Sequence, residues 1–475
     1  MPANNLGKRF TENLIFAFSA QGLSFVFSTL MVLLVPRVLG VEQYSYWQLF
    51  IFYSLYVGFF HFGLSDGIYL KYGGIELENL DKDRIGSQFK LMLAWLFLVC
   101  LCLMPILIHF ASNEYRRYIW ILIGLYLVIA NATWYLGFVF QAANRTSVYS
   151  ISIIISKATY IVFIITMVWL RSTNFKPFVA FYVVAQAIAF LYVAYMGREF
   201  IFSKMLPFKE TFVEAKNNIL IGINLTISNI VSSLILGIGR AMVDGTEGIE
   251  SFGLLSLSVT LTNFFLQFIA QASMVMFPAI RQLNEESMKR IYLKLRSGIS
   301  YVLCFILVLY VPLKITLSWW LPQYTESLRY LAYLLPICIF DGKMQLLFNT
   351  FLKVLRKERA MLQINLIVLG ISTILCAIGA FIIKDIIAVS IAMLLAIVLR
   401  SIITNAYLSK VMVTKFDKNL IWEFGLSFSF IVLNAYVNNY LAFLIYGIMY
   451  VLYLIDNRAE IKVIFKKDGK KQTIS

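Results

Sequence analysis

Long apolar segments follow one another along almost the whole chain, and they restrict its fold more than any other feature. We count fourteen, most of them close to the roughly 20 residues that an α-helix needs to cross a bilayer. Their predicted bounds are 14–35, 47–64, 91–110, 118–140, 149–170, 178–196, 219–238, 252–277, 299–321, 328–352, 362–383, 386–408, 421–436 and 440–454. A β-barrel would instead show short alternating strands. The sequence therefore predicts an all-α polytopic membrane protein with about 14 transmembrane helices.

The composition supports this interpretation. Of the 475 residues, 60% are hydrophobic and 14% are charged, whereas about a quarter of a soluble domain is charged. All five cysteines fall inside apolar segments, which is typical of buried thiols rather than of disulfides or a metal site. The sequence contains no nucleotide-binding loop, nucleophile motif or metal-ligand cluster. We therefore expect a protein that is not an enzyme and that carries no metal and no cofactor.

The distribution of Lys and Arg predicts the orientation of the chain. Of the 41 basic residues, twenty-nine lie on the same side of the membrane as the N-terminus, and eight lie on the other side. Cytoplasmic loops carry the excess of Lys and Arg, so both termini are predicted to be cytoplasmic. This bias accounts for most of the net charge of +16, and no nucleic-acid partner is expected. The predicted outer loops are all short, which leaves no room for an extramembrane catalytic domain.

A short motif occurs twice, 208 residues apart, and predicts an internal repeat. LGVEQYSYWQL at 39–49 lines up with EGIESFGLLSL at 247–257, and each copy lies between two long apolar segments. Each repeat would hold six crossings, so both copies have the same orientation. Such a repeat implies two six-helix lobes, a pseudo-twofold axis along the membrane normal and a cavity between the lobes. The predicted domains are an N-lobe (1–205), a C-lobe (206–412), two additional helices (413–456) and a basic cytoplasmic tail (457–475).

Charged residues inside the predicted crossings are the first candidates for a binding site. Each costs about 2.5–3.5 kcal/mol at the middle of the bilayer on insertion scales, and therefore calls for an explanation. Asp341 is predicted to be the only acid deep in a crossing, so cations outnumber acids there by four to one. The cations are Lys157, Lys314, Lys343 and Arg400. This balance favours an anionic ligand such as a lipid diphosphate. Alternatively, some of these charges reach the interface or form ion pairs, for example Asp341 with Lys314.

Polar residues on the first and seventh crossings form a second group of candidates. Gln21 and Ser24 line up with Asn229 and Ser232 at the repeat offset, and Arg37 and Arg240 end the two crossings on the predicted outer side. We predict that these residues bind substrate. The alternatives are that the small polar residues pack helices together and that the arginines are solvated turn charges.

Candidate ion-coupling residues are His61, Asp66 and Asp341. A histidine that is exposed to a cavity titrates near neutral pH, so His61 could carry a proton. A packing role for His61 is the alternative, since no partner for it is apparent in the sequence.

The motif RVLGVEQYSYWQL at 37–49, followed by FGLSDGIYLKYGG at 62–74, resembles the N-terminus of polysaccharide and O-antigen flippases. These proteins belong to the multidrug/oligosaccharidyl-lipid/polysaccharide (MOP) exporter superfamily. FQAANR at 140–145, with LKVLRK at 352–357 as its counterpart, also resembles that family.

The resemblance implies a MATE-like flippase in the bacterial cytoplasmic (inner) membrane. Its substrate would be an undecaprenyl-diphosphate-linked oligosaccharide, such as an O-antigen, capsule or exopolysaccharide repeat unit. Transport would proceed by alternating access, coupled to H⁺ or Na⁺, with membrane lipids and other polysaccharide assembly proteins as partners. The alternatives are a MATE-like cation or drug antiporter, which the cationic crossings disfavour, and a membrane polysaccharide polymerase or ligase, which would need a large outer loop.

Overall fold

The computed structural model describes residues 3–281, 284–415 and 417–465; side chains at 3–14, 17, 268–279, 281 and 463–465 lie outside the description. Every regular element within these ranges is a helix. An apolar chain in hydrocarbon must satisfy its backbone hydrogen bonds within each segment, which explains this uniformity. The predicted all-α fold is confirmed. Most of the predicted basic tail, 466–475, lies outside the described residues.

Backbone contacts divide the chain into two compact units, Met1–Leu257 and Ser258–Ser475. The helices that begin in the first unit are α1 (Ala3–Leu33), α2 (Val35–Ser54), α3 (Leu64–Lys71), α4 (Lys82–His109), α5 (Glu114–Ala142), α6 (Thr146–Trp169), α7 (Phe175–Met196), α8 (Arg198–Ile201), α9 (Phe208–Thr246) and α10 (Gly248–Arg281). Short 3₁₀ turns at Val57–His61 and Leu77–Asn79 lie between them.

The second unit contains the remaining ten α-helices of the described chain. They are α11 (Glu285–Val308), α12 (Tyr310–Trp320), α13 (Thr325–Leu334), α14 (Ile337–Lys343), α15 (Asn349–Val354), α16 (Glu358–Ala377), α17 (Ile386–Val411), α18 (Asn419–Tyr436), α19 (Asn439–Asp456) and α20 (Arg458–Phe465). A 3₁₀ turn lies at Pro322–Tyr324, and π-helical turns lie at Met344–Phe348 and Ile378–Ile383.

Ten helices in the described ranges are long and apolar enough to cross a membrane, or up to twelve if two strongly bent pairs each form one span. The predicted ninth crossing, 299–321, is two helices, because α11 ends at Val308 and α12 begins at Tyr310. The chain is thus a multi-pass membrane protein. The count of fourteen and the orientation of the termini stay predictions.

The backbone repeats its turns at corresponding positions of the two copies. Gly40 and Gly248, 208 residues apart, have φ angles of 72° and 84°, a region that favours glycine because it has no Cβ. Asn144 and Arg356 end the predicted fourth and tenth crossings with φ angles of 57° and 52°. The backbone N–H groups of the next residues, Arg145 and Lys357, donate to the carbonyl oxygens of Phe140 and Leu352, in both cases at 2.8 Å. This agreement in backbone geometry supports the repeat that the short motif predicted.

One crossing differs between the copies. In the first copy α5 is continuous over 29 residues, whereas its counterpart is broken between α13 and α14, where the helices bend by 52°. Pro336 lies at this break, and proline removes a backbone donor from the helix. A π-helical turn follows at Met344–Phe348, and such turns are frequent at functional sites.

Helix α9 packs against α3 within the first unit, although the repeat assigns α9 to the second copy. The compact units and the repeat copies are therefore two different divisions of the chain. The predicted domain bounds at 205, 412 and 456 follow the repeat and stay predictions.

Candidate functional site

Lys157 is a cation without a carboxylate partner among the described residues. It lies on α6, half-buried, and its ammonium nitrogen is 3.9 Å from the ring centre of Phe27 on α1. The ring of Tyr182 lies 5.9 Å away. Aromatic faces attract a cation by about 0.5–2 kcal/mol and leave its charge in place. Lys157 can therefore still bind an anion. Ser24, three residues before Phe27, lies on the same side of α1.

Arg240 is a buried cation on α9, and it is only 6% exposed. The carbon atom of its guanidinium group lies 4.8 Å from the ring centre of Phe52 on α2. Its Nε atom is buried without an acceptor, and the buried hydroxyl of Tyr56 lies beside the guanidinium group without an acceptor of its own. In the described part of the chain Arg240 has no carboxylate partner either. The alternative of a solvated turn charge is wrong for this residue, because its side chain is buried and α9 continues past it to Thr246.

Arg116 and Asp244 form a two-pronged ion pair that sequence reasoning missed. The Nη1 and Nη2 atoms of Arg116, on α5, lie 2.8 and 2.5 Å from the two carboxylate oxygens of Asp244, on α9. The exposed fractions of the two side chains are 19% and 12%. One signal was available in the sequence: Asp244 follows Arg240 by one helical turn.

At its other end α9 meets α3, where Asp66 lies. Thr226 donates a hydrogen bond to the Asp66 carboxylate at 2.5 Å. A Cβ atom on Gly67 would overlap the backbone of Asn218, and one on Gly222 would overlap the backbone at Gly63 and Gly67, so the helices approach closely only because these residues are glycines. Asp66 therefore already has a protein partner in this conformation.

His61 ends the 3₁₀ turn Val57–His61, and Asp66 follows five residues later on α3. The side chain is buried, and its Nδ1 atom accepts a hydrogen bond of 3.0 Å from the backbone N–H of Gly63. The structure thus brings these two predicted ion-coupling residues together. The third, Asp341, belongs to the second unit.

The other predicted polar residues of the first unit differ in their exposure. Ser24 donates to the carbonyl oxygen of Ala20 in its own helix at 2.7 Å. Asn229 and Arg37 are exposed, whereas Gln21 and Ser232 are half-buried. Their predicted role in substrate binding stays a prediction.

Two of the predicted cations of the second unit, Lys343 and Arg400, are paired with carboxylates. The ammonium group of Lys343 lies 2.6 Å from Glu423 and 3.1 Å from Asp417, and all three side chains are almost fully buried. Arg296, on α11, lies 3.5 Å from the same Asp417 oxygen. Two cations and two anions thus form an electroneutral cluster. Sequence reasoning missed both acids, although Glu423 lies inside the predicted crossing 421–436.

Arg400 is also paired. Its Nη1 atom lies 3.3 Å from Asp341, and its Nε atom donates to Asn365 at 2.9 Å. The predicted pair between Asp341 and Lys314 is wrong, because the arginine on α17 is the partner of the acid. Lys314 instead donates to Asn439 at 3.0 Å. The expected four-to-one excess of cations over acids is therefore wrong for the second unit, where Arg296, Lys343 and Arg400 face three carboxylates and Lys314 alone of these four cations does not.

Comparison with known proteins decides the family. A family model described as "Polysaccharide biosynthesis protein" matches residues 10–284, which is more than half of the chain. The chain belongs to this polysaccharide biosynthesis protein family. The resemblance seen in the sequence motifs is thereby confirmed. No curated protein matches the sequence significantly.

Solved structures of the MOP superfamily share the fold. The lipid II flippase MurJ, in an inward closed conformation, matches with a TM-score of 0.66 and 15% identity over 94% of this chain and 99% of that one. An inward-facing multidrug resistance MATE family transporter matches with a TM-score of 0.65 and 12% identity over 84% of this chain and 98% of that one. At these identities the likeness shows the fold alone, and it confirms the MATE-like architecture.

Proposed function

We propose that this member of the polysaccharide biosynthesis protein family is a flippase. It moves an undecaprenyl-diphosphate-linked oligosaccharide from the inner to the outer leaflet of the bacterial cytoplasmic membrane by alternating access. The family match supports a role in polysaccharide biosynthesis, and the lipid II flippase MurJ shares the fold. The glycan would be an O-antigen, capsule or exopolysaccharide repeat unit. Membrane lipids and other assembly proteins would be its partners.

The observation that carries this proposal is the pair of uncompensated cations in the first unit. Lys157 and Arg240 lie in membrane-spanning helices, and in the described structure only aromatic rings balance their charges. A diphosphate that crosses hydrocarbon must exchange its hydration for fixed donors, because burying an isolated charge is very costly. Cations that no protein carboxylate neutralises can supply those donors.

A cation or drug antiporter is the alternative within the same fold. Such a protein needs a buried acid that is free to bind a cation. Asp341 and Asp417 lie in ion pairs with Arg400 and Lys343. These contacts favour an anionic ligand over a cationic one. Coupling to H⁺ or Na⁺ through Asp66 and its neighbour His61 is part of our proposal.

Proteoliposomes that contain a fluorescent undecaprenyl-diphosphate oligosaccharide test the function. We expect the wild-type protein to move the lipid between leaflets without changing its mass. Arg240→Gln should slow this movement strongly, whereas Arg117→Gln should not, because Arg117 is exposed and its side chain forms no hydrogen bond or close ion pair among the described residues. A product of altered mass would indicate an enzyme. The antiporter would be indicated if the wild-type protein transports a cationic dye but moves no lipid, and if Arg240→Gln does not reduce the transport of the dye.

A further inference from the structure

Arg240 and Asp244 are four residues apart on one continuous helix, α9. Side chains at this spacing lie on the same helix face and can form an ion pair. In this structure they do not pair, because both carboxylate oxygens of Asp244 are bound by Arg116. The acid that could neutralise Arg240 is therefore held by another arginine.

Arg116 is held in place by its surroundings. Its backbone N–H donates to the side-chain oxygen of Asn113, which caps the first turn of α5, at 2.9 Å. The amide nitrogen of Asn113 in turn donates to the hydroxyl of Tyr46, on α2, at 2.8 Å. The start of α5 is thereby fixed to α2 while it holds the end of α9.

The groups around Arg240 have the character of an anion site. The Nε atom of Arg240 and the hydroxyl of Tyr56 are buried donors that lack an acceptor. A Cβ atom on Gly237, one turn before Arg240, would overlap the Tyr56 hydroxyl, so glycine is what admits this hydroxyl beside α9. Buried donors without partners are costly, and a phosphate oxygen would satisfy both.

We propose that Arg240 and Tyr56 form a diphosphate subsite and that Asp244 is its release switch. This inference rests on the proposed function. While Arg116 holds Asp244, Arg240 keeps its full charge and binds the diphosphate. When α5 and α9 separate at this end, Asp244 is freed, turns to Arg240 and neutralises it. The site then loses its affinity for the anion, and the lipid-linked substrate is released.

Binding measurements on the purified full-length protein in detergent test the switch. The probe is undecaprenyl diphosphate, with inorganic pyrophosphate in a parallel arm to show whether the lipid is needed. Arg116→Gln should weaken binding by about 10-fold, within the 5- to 150-fold range of typical couplings, because it frees Asp244 to pair with Arg240. Arg116→Gln combined with Asp244→Asn should restore binding, because the acid is gone. Arg117→Gln is the matched control and should bind like the wild type.

The single variant Asp244→Asn is decisive, because the switch predicts binding at least as tight as in the wild type, whereas a merely structural role for the ion pair predicts a loss, since Arg116 then lacks its partner. Unchanged affinity in Arg116→Gln, or no recovery in the double variant, would overturn the switch. An exchange of the pair, Arg116→Asp with Asp244→Arg, keeps the contact and should bind at least as tightly as the wild type, which covers the case in which Arg116→Gln does not fold. If the wild-type protein binds neither probe, the proposed function fails instead.

Discussion

The buried cluster of the second unit gives the sharpest prediction, because it separates a structural lysine from a substrate-binding one. The cluster holds the cations Arg296 and Lys343 and the anions Asp417 and Glu423, so it is neutral. Lys343→Met leaves both acids buried with one cation. Removing one partner of a buried ion pair costs about 3–5 kcal/mol. For a unit of this size, 1 kcal/mol corresponds to about 2–4 °C, so the melting temperature should fall by roughly 6–20 °C.

The cysteines of the chain offer an assay that reports on this unit alone. Cys304, Cys338 and Cys376 are buried in the second unit, whereas Cys100 and Cys102 belong to the first. In a variant in which Cys100 and Cys102 are alanine, a thiol-reactive fluorogenic dye reacts only when the second unit unfolds. Heating curves with this dye give the melting temperature of each variant in detergent.

Charge balance predicts the rescue. Lys343→Met together with Glu423→Gln restores neutrality, so this double variant should recover most of the lost stability. The isosteric Glu423→Gln alone is the matched control, and it should also be destabilised, because Lys343 loses one of its two acids. Wild-type melting in Lys343→Met, combined with lost lipid transport, would refute this reasoning and would return Lys343 to the substrate site.

Three further predictions concern the first unit. Lys157→Ala should slow lipid transport in proteoliposomes by about 10-fold or more, since a hydrogen bond to a charged group contributes about 1.5–3 kcal/mol. Lys176→Ala is the control and should not slow transport, because Lys176 forms only a surface ion pair with exposed Glu114. Gly67→Val should force α3 and α9 apart and lower cross-linking between cysteines placed at 66 and 226, whereas Gly425→Val, which has open space around it, should leave the yield unchanged. Cysteine labelling from outside the cell should reach position 37 and not position 145, and labelling at 145 would overturn the predicted orientation.

Apolar segment lengths and charge counts were enough to predict the fold class. Runs of about 20 apolar residues can satisfy their backbone only as helices in a membrane, so no tertiary information is needed. The repeat was also visible, because Gly40 and Gly248 stand at turns whose left-handed φ angles favour glycine. A position that requires a positive φ angle favours glycine, so this kind of backbone conformation can be recognised from the sequence.

The partners of the buried charges were decided by tertiary structure. Lys343 meets Glu423 across 80 positions of the chain, and Arg116 meets Asp244 across 128. The sequence shows that a charged residue lies at membrane depth and therefore needs a compensating group. It does not show which group this is, because the group can come from any helix that packs beside the charge. Arg400 and Lys343 pair with carboxylates, whereas Lys157 and Arg240 lie against aromatic rings. Only the packing of the helices separates these two outcomes, because a lysine or arginine in an apolar segment looks the same in both.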